Sequence, residues 1–100
     1  MKILIVCAYG MSSSIIMKKM KEAALAEEIE LEVSAHNPAE VVETVFDVDI
    51  ILLGPQVAYH KEAIQKLYPD TPVVPIEKLD YGMVNGKKIL ADTIQFLKGK

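Results

Sequence analysis

Residues 2–24, KILIVCAYGMSSSIIMKKMKEAA, carry the pattern that decides the fold. Residues 2–6 are apolar and rich in β-branched side chains, which is typical of a short strand buried on both faces. A glycine and three serines follow, and beyond them Ile16, Met20 and Ala24 recur at helical spacing. The stretch therefore predicts a strand, a loop that reaches to residue 14, and an amphipathic helix.

The same alternation continues to the end of the chain. The pair Asn37-Pro38 predicts a helix N-cap followed by a first-turn proline. Pro72 and Pro75 lack N–H groups and therefore favour an edge strand. The predicted strands span residues 2–6, 31–36, 49–53 and 71–76, and the predicted helices span residues 15–24, 39–46, 58–68 and 85–97.

Four strand–helix units in this order predict one α/β domain over residues 1–100. Right-handed crossovers leave few topologies, and we expect a four-stranded parallel sheet in the flavodoxin-like order 2-1-3-4, flanked by helices, similar to low-molecular-weight tyrosine phosphatases. Ligands of such sheets bind beyond the carboxyl ends of the strands, near the point where strand order reverses. We therefore expect the site between the loops over residues 7–14 and 54–61.

The composition excludes several classes of protein. The net charge is −3 and all eleven basic residues are lysines, which disfavours nucleic-acid binding because base readout usually needs arginine. The single cysteine cannot form an internal disulfide, and no apolar run approaches the roughly 18 residues that span a bilayer. Cys7, His36 and His60 lie too far apart for a zinc motif. We expect a cytoplasmic protein without metal or organic cofactor.

Cys7 is the candidate reactive residue. It ends the first strand and precedes a loop that opens a helix, where outward-pointing N–H groups and the helix dipole favour a thiolate or a phosphoryl group. Gly10 permits close backbone approach, and Ser12, Ser13 and Ser14 can cap the helix or donate hydroxyl groups. The competing interpretation is that Cys7 only packs at the end of a buried strand.

The missing arginine separates two kinds of cysteine chemistry. Cysteine phosphatases place an arginine six positions after the nucleophile, where it binds the phosphate and stabilises the transition state. This chain has Ser13 at that position, and Asp80 is its only plausible leaving-group acid. The pattern favours a phosphoryl carrier, while a low-molecular-weight cysteine phosphatase-like hydrolase and a non-catalytic phosphate-binding module remain as alternatives.

Three segments carry a family resemblance: residues 7–14 (CAYGMSSS), 53–59 (LGPQVAY) and 80–82 (DYG). In sequence and order they resemble the enzyme IIB component of the bacterial phosphoenolpyruvate-dependent sugar phosphotransferase system, lactose/cellobiose/chitobiose type. The resemblance covers essentially the whole chain. It implies that Cys7 accepts a phosphoryl group from a phosphohistidine of a IIA protein and passes it to a sugar held by the membrane transporter IIC.

The resemblance also implies roles for individual residues, with a phosphocysteine intermediate at Cys7. The implied phosphate-binding residues are Ala8, Tyr9, Gly10, Met11, Ser12, Ser13 and Ser14, and possible contacts from the second loop are Gln56, Tyr59 and His60. We expect a monomer that docks transiently at the inner face of the membrane. The sequence does not specify the sugar.

The remaining polar and aromatic residues are weaker candidates for the site. For His60 an ordinary solvated surface position is favoured, because a lone histidine without an orienting partner is weak evidence for a role. His36 ends the second strand on the same side of the sheet and carries still less weight. Lys18, Lys19 and Lys21 form a basic patch that suits either an acidic partner or a solvated helix face. Tyr81 either covers the phosphate loop or lies exposed in a turn.

Overall fold

The computed structural model describes residues 1–8 and 10–99, with the backbone alone for residues 10–12. Within this part of the chain the strands are Lys2–Val6 (β1), Glu32–His36 (β2), Ile50–Leu53 (β3) and Val73–Pro75 (β4). The α-helices are Gly10–Ala26 (α1), Pro38–Glu43 (α2), Lys61–Leu67 (α3), Lys78–Gly82 (α4) and Gly86–Lys98 (α5), and a 3-10 helix spans Pro55–His60.

The strands form one parallel sheet in the order β2-β1-β3-β4, which confirms the predicted topology. All four residues of β3 are buried, as are Ile3 to Val6 of β1, because these interior strands are covered on both faces. β4 pairs only with β3 and confirms the predicted edge position. Val6 aligns with both His36 and Leu53, so three strands end at the same edge of the sheet.

Alternate residues of β1 enter two separate hydrophobic cores. Ile3 and Ile5 pack with residues of α1 and α5, whereas Leu4 and Val6 pack with Val41 of α2 and residues of α3. Burying one such aliphatic side chain contributes about 1.5–3 kcal/mol. These two cores fix the helices on opposite faces of the sheet and leave the carboxyl edge for a site.

Asn37 begins α2 as predicted. Its side chain accepts a hydrogen bond from the Glu40 N–H at 2.8 Å, and Glu40 Oε1 accepts one from the Asn37 N–H at 3.0 Å. This reciprocal capping box satisfies two N–H groups that a helix start leaves without partners. The predicted end at residue 46 is wrong, because Thr44 is already extended and Tyr68 Oη bonds the carbonyl oxygens of Val41 and Thr44.

Other predicted bounds also differ from the structure, and the edge strand is limited to Val73–Pro75 where residues 71–76 were predicted. The loop expected to reach residue 14 is shorter, because α1 already begins at Gly10 and the serines lie in its first turns. The helix expected over residues 58–68 begins only at Lys61, because residues 55–60 form the 3-10 helix. Pro55 is the first residue of that 3-10 helix and follows the extended Gly54. Asp80 and Tyr81, expected in a turn, lie in α4, which packs against α5.

None of the described helices is both long enough and apolar enough to cross a membrane.

Candidate functional site

Cys7 lies directly after β1 and is buried, with 5% of its surface exposed. Its N–H donates to the carbonyl oxygen of His36 at 3.0 Å, which extends the β1–β2 pairing by one residue. On the other side, the Gly54 N–H donates to the carbonyl oxygen of Val6 at 2.8 Å. The backbone around the thiol is therefore held between the ends of β2 and β3.

Ser13 is the side chain that contacts the thiol. Its hydroxyl is fully buried and lies 3.2 Å from Cys7 Sγ, within hydrogen-bond distance for sulfur. Because α1 begins at Gly10, Ser13 lies one turn into the helix whose amino-terminal end faces the cysteine. N–H groups in the first turn of a helix lack intrahelical partners and attract anions. This arrangement favours negative charge on or near the sulfur.

A cavity of about 280 Å³ opens beside the thiol between the ends of β1 and β2 and the starts of α1 and α2. Its described lining consists of Cys7, Ala8, Ser13, Ser14, Met17, Ala35, His36, Asn37 and Glu40. A larger groove of about 570 Å³ lies between α1 and the start of α5, but its described lining includes no cysteine, serine or histidine. The smaller cavity is therefore the candidate site.

His36, at the end of β2, lines the cavity beside Cys7. Its Nδ1 lies 3.4 Å from Glu40 Oε2, and its ring centroid lies 4.5 Å from that of Phe46. The hydrogen bond from the Asn37 backbone and then that from His36 hold the pKa of the Glu40 carboxyl below its usual value of 4.5. The proximity of Cys7 and His36 follows from topology. β1 and β2 are adjacent parallel strands in which Val6 pairs with His36, so both residues lie at the same edge of the sheet.

Comparison with known proteins identifies the family. Residues 2–92 match the family model described as "PTS system, Lactose/Cellobiose specific IIB subunit". The chain belongs to this IIB family. The chain is 34% identical over 99 residues to the oligo-beta-mannoside-specific EIIB component of Bacillus subtilis, which covers 96% of this chain and 95% of the relative. It is 35% identical over 96 residues to the cellobiose-specific EIIB component of Lactococcus lactis, which covers 89% of each chain.

Solved IIB structures support the same assignment. The cellobiose-specific IIB component of Borrelia burgdorferi superposes with a TM-score of 0.79 at 30% identity and covers 100% of this chain and 94% of its own. The lactose-specific IIB domain of Streptococcus pneumoniae shares the fold with a TM-score of 0.81 at 18% identity, covering 95% of both chains. IIB components are phosphotransferase-type carriers that act with IIA and IIC components, so this IIB chain has a transferase role within that system.

The structure of the IIB chain brings only part of the predicted site together. Cys7, Ala8, Ser13 and Ser14 share the cavity. Gly10, Met11 and Ser12 form the first residues of α1, and their side chains lie outside the described part of the structure, as does all of Tyr9.

The second loop of the IIB chain contributes no side chain to the described cavity lining. Gln56, Tyr59 and His60 belong to the 3-10 helix and are not among the described residues that line the cavity. Gln56 is exposed, and 80% of the Tyr59 surface is accessible. The rings of Tyr59 and His60 pack on each other with centroids 4.2 Å apart.

The structure excludes the exposed turn considered for Tyr81 and places Asp80 in a salt bridge. Tyr81 is buried, not exposed in a turn, and a Cβ added to Gly54 would lie 3.3 Å from its Cε2. Burial first, and the Cys7 thiolate second, raise the pKa of the Tyr81 phenol above 10.0. Asp80 is buried and pairs with Lys88 Nζ at 2.8 Å, so its carboxylate is engaged away from the thiol cavity.

The remaining candidates divide between surface and core. Lys18, Lys19 and Lys21 are exposed along α1 and are not among the described residues of the cavity lining. Met20 is fully buried in the core, as expected, and Met17 lines the cavity. Among the described residues there is no group of His, Cys, Asp and Glu side chains that could hold a metal ion.

Proposed function

We propose that Cys7 is the residue of this IIB domain, residues 1–100, that carries the phosphoryl group. The observation that carries the proposal is the position of the thiol, which touches the buried Ser13 hydroxyl at the start of α1 and lines a cavity. Helix N–H groups and a hydroxyl donor stabilise anions, and both a thiolate and a thiophosphate are anions. The site therefore suits a sulfur that alternates between these two forms.

Two in-line transfers at one sulfur describe the proposed reaction. In the first, the Cys7 thiolate attacks the phosphorus of a phosphohistidine on IIA, an S–P bond forms, and the P–N bond breaks with its electron pair returning to the imidazole. In the second, a hydroxyl oxygen of a sugar held by IIC attacks the phosphorus. The S–P bond then breaks, the thiolate is regenerated, and the hydroxyl proton passes to a base of the acceptor complex or to water.

The residues near Cys7 favour transfer over hydrolysis. The chain contains no arginine to fork onto the phosphate, and the Asp80 carboxylate is engaged by Lys88. A phosphatase uses an arginine on the phosphate together with an acid that protonates the leaving group and then activates water. Holding the phosphoryl group without these groups keeps it available for the next acceptor, which argues against a phosphatase-like hydrolase.

The proposed sugar belongs to the cellobiose, chitobiose and lactose class. The relatives named above act in systems for oligo-beta-mannosides and cellobiose, and a further one, 35% identical over 96 residues, is a galactose-specific component of Lactococcus lactis. Relatives of nearly equal identity serve different sugars. We therefore infer that the IIB chain recognises its partner proteins and that the transporter determines which sugar is bound. We further propose a cytoplasmic monomer that docks briefly at the membrane, where IIC lies, and needs no cofactor.

Intact-protein mass spectrometry tests the carrier role. The chain is incubated with phosphoenolpyruvate, the general phosphotransfer proteins and a panel of cellobiose-type IIA proteins, beside the matched variant Cys7→Ser. We expect one added phosphoryl group on the wild type and none on the variant. Addition to the variant would place the phosphoryl group elsewhere. An unmodified wild type, or rapid turnover of an aryl phosphate, would favour a binding module or a hydrolase.

A further inference from the structure

The His36 ring is held in one orientation by two neighbours. Nδ1 faces Glu40 Oε2 at 3.4 Å, and Phe46 packs on the ring at a tilt of 35°. Phe46 is held in turn, since its N–H donates to Tyr68 Oη at 3.2 Å. With Nδ1 directed at the carboxylate, Nε2 lies on the opposite side of the ring and has no hydrogen-bond partner among the described residues.

A positive charge in the cavity stabilises a thiophosphate beyond what N–H and hydroxyl donors supply. A thiophosphate brings negative charge into a space that also contains the Glu40 carboxylate. Among the described lining residues, His36 is the one side chain that can carry positive charge, and the chain has no arginine to take that role. Glu40 is already engaged, because Oε1 accepts from the Asn37 N–H and Oε2 faces His36. An imidazolium donates from both ring nitrogens, so His36 in that form can face Glu40 through Nδ1 and a second anion through Nε2.

We propose that His36 binds the phosphoryl group on Cys7, donating a hydrogen bond from Nε2 to a phosphoryl oxygen, with Glu40 and Phe46 as positioning residues. The inference rests on the proposed phosphocysteine. His36 forms and breaks no covalent bond; it compensates the charge of the group during both transfers. It therefore takes part of the role that arginine has in cysteine phosphatases, without adding a group that activates water.

Two amide substitutions separate the two ring nitrogens. His36→Asn places its amide near the Nδ1 position and removes the Nε2 donor, whereas His36→Gln extends an N–H₂ donor toward the Nε2 position. We expect His36→Asn to slow phosphoryl transfer from phosphorylated IIA, at saturating IIA, by about tenfold, because a hydrogen bond to a charged group is lost. His36→Gln restores a large part of that rate. A purely structural role would slow both variants together with a lower melting temperature.

Glu40 has a matched control on the same helix. Glu40→Gln removes the carboxylate charge that faces His36 Nδ1 and orients the ring, and it is expected to slow the transfer severalfold. Glu43→Gln removes an exposed carboxylate from the last turn of α2, outside the described cavity lining, and leaves the transfer rate unchanged. Equal effects of the two variants would show that net charge, and not the His36–Glu40 pair, controls the reaction.

A measurement without partner proteins keeps this inference separate from the proposed function. The rates at which Cys7 reacts with iodoacetate, an anion, and with neutral iodoacetamide are compared for wild type and His36→Asn. The neutral reagent corrects for changes in thiol reactivity, and we expect the iodoacetate-to-iodoacetamide ratio to fall about threefold or more in the variant because the cation beside the sulfur is lost.

The outcomes of the two experiments are distinct. A wild type that no IIA phosphorylates overturns the proposed carrier role, while the alkylation ratio still reports whether His36 attracts anions to Cys7. A phosphorylated wild type with an unchanged transfer rate and an unchanged alkylation ratio in His36→Asn overturns the role of His36 and leaves the carrier intact. Loss of both transfer and anion preference, with recovery of transfer in His36→Gln, supports the proposal.

Discussion

The Cys7 thiol and the Ser13 hydroxyl lie 3.2 Å apart in the interior of the protein, one following β1 and the other in the first turns of α1. Because a hydroxyl can donate to a thiolate, Ser13 couples the helix start to the charge on the sulfur. Ser13 is fully buried, so this contact is shielded from competing water. The pair links the fold of the amino-terminal unit directly to its chemistry.

Removing the Ser13 hydroxyl is expected to make Cys7 less reactive. Ser13→Ala should slow alkylation by iodoacetamide at neutral pH by about fivefold, as expected for one hydrogen bond of about 1 kcal/mol. The measurement is the second-order rate constant followed by mass spectrometry. Ser34→Ala, a serine of β2 outside the described cavity lining, serves as the control. Equal rates in the Ser13 variant and the wild type would contradict the role of this contact.

The Tyr68 hydroxyl is expected to stabilise the segment between α2 and β3. It lies 3.1 Å and 2.9 Å from the carbonyl oxygens of Val41 and Thr44 and accepts a hydrogen bond from the Phe46 N–H at 3.2 Å. Tyr68→Phe leaves these backbone groups without that partner and should lower the free energy of unfolding by about 1–3 kcal/mol.

Urea denaturation measures the effect, with Tyr59→Phe as the matched variant. Tyr59 is 80% exposed, so losing its hydroxyl should change stability by less than about 0.5 kcal/mol. Similar losses of unfolding free energy in Tyr68→Phe and Tyr59→Phe would show that the hydrogen bonds of the Tyr68 hydroxyl do not stabilise the protein.

Gly86 is expected to be required for the packing of α5 on α1. A Cβ at this position would lie 2.6 Å from Lys19 Cβ, 2.7 Å from the carbonyl oxygen of Ile16 and 2.8 Å from the N of Met20. Two of these atoms belong to the backbone and cannot move alone. Gly86→Ala should therefore destabilise the protein by about 1–3 kcal/mol.

Gly82 supplies the control for this substitution. A Cβ on Gly82 meets nothing within 4 Å, and no described glycine has a positive φ. Gly82→Ala should be neutral or stabilise α4 by up to about 1 kcal/mol. Thermal unfolding of both variants tests the prediction, which fails if Gly86→Ala melts at the wild-type temperature.

Tyr81 gives the protein a dependence on alkaline pH. Burial and, second, the Cys7 thiolate raise the pKa of the folded-state phenol above 10.0, so the folded protein holds this proton more tightly than the unfolded chain. The resulting stabilisation is complete below the unfolded pKa and is lost as the pH rises through the folded pKa. Between about pH 9 and pH 11 the wild type should lose more stability than Tyr81→Phe.

Melting temperatures at the two pH values measure this difference. The Lys88 pKa is also raised, by its hydrogen bonds to Asp80 and Asp92, and contributes a loss in the same direction to both proteins. It therefore cancels in the comparison. Cys7→Ser should lower the pH at which tyrosinate absorbance appears, because the second cause of the shift is removed while burial remains. Parallel pH profiles of wild type and Tyr81→Phe would contradict the assignment.

The sequence alone determined the sheet and its order. The apolar runs of β1 and β3 are too short for buried helices and too uniform for exposed strands, and the helical periodicity between them requires parallel crossovers. Asn37-Pro38 marked the start of α2 because capping depends on side chains within one helical turn. The position of Cys7 at the carboxyl end of β1 also followed from local pattern, because an apolar run ends there and a helix begins shortly after it. Such features depend on interactions between residues close in sequence, so the sequence alone indicates them.

Tertiary structure decided what surrounds the thiol. Ser13 became a buried contact only because α1 starts at Gly10 and turns that hydroxyl back onto Cys7. His36, far away in sequence, lies beside the cavity because β2 pairs with β1 in level register. The segment after β3 forms a 3-10 helix in which Tyr59 is exposed, a conformation that the Gly54-Pro55 pair alone did not specify. Register and helix starts depend on packing of distant side chains, and no local pattern encodes that packing.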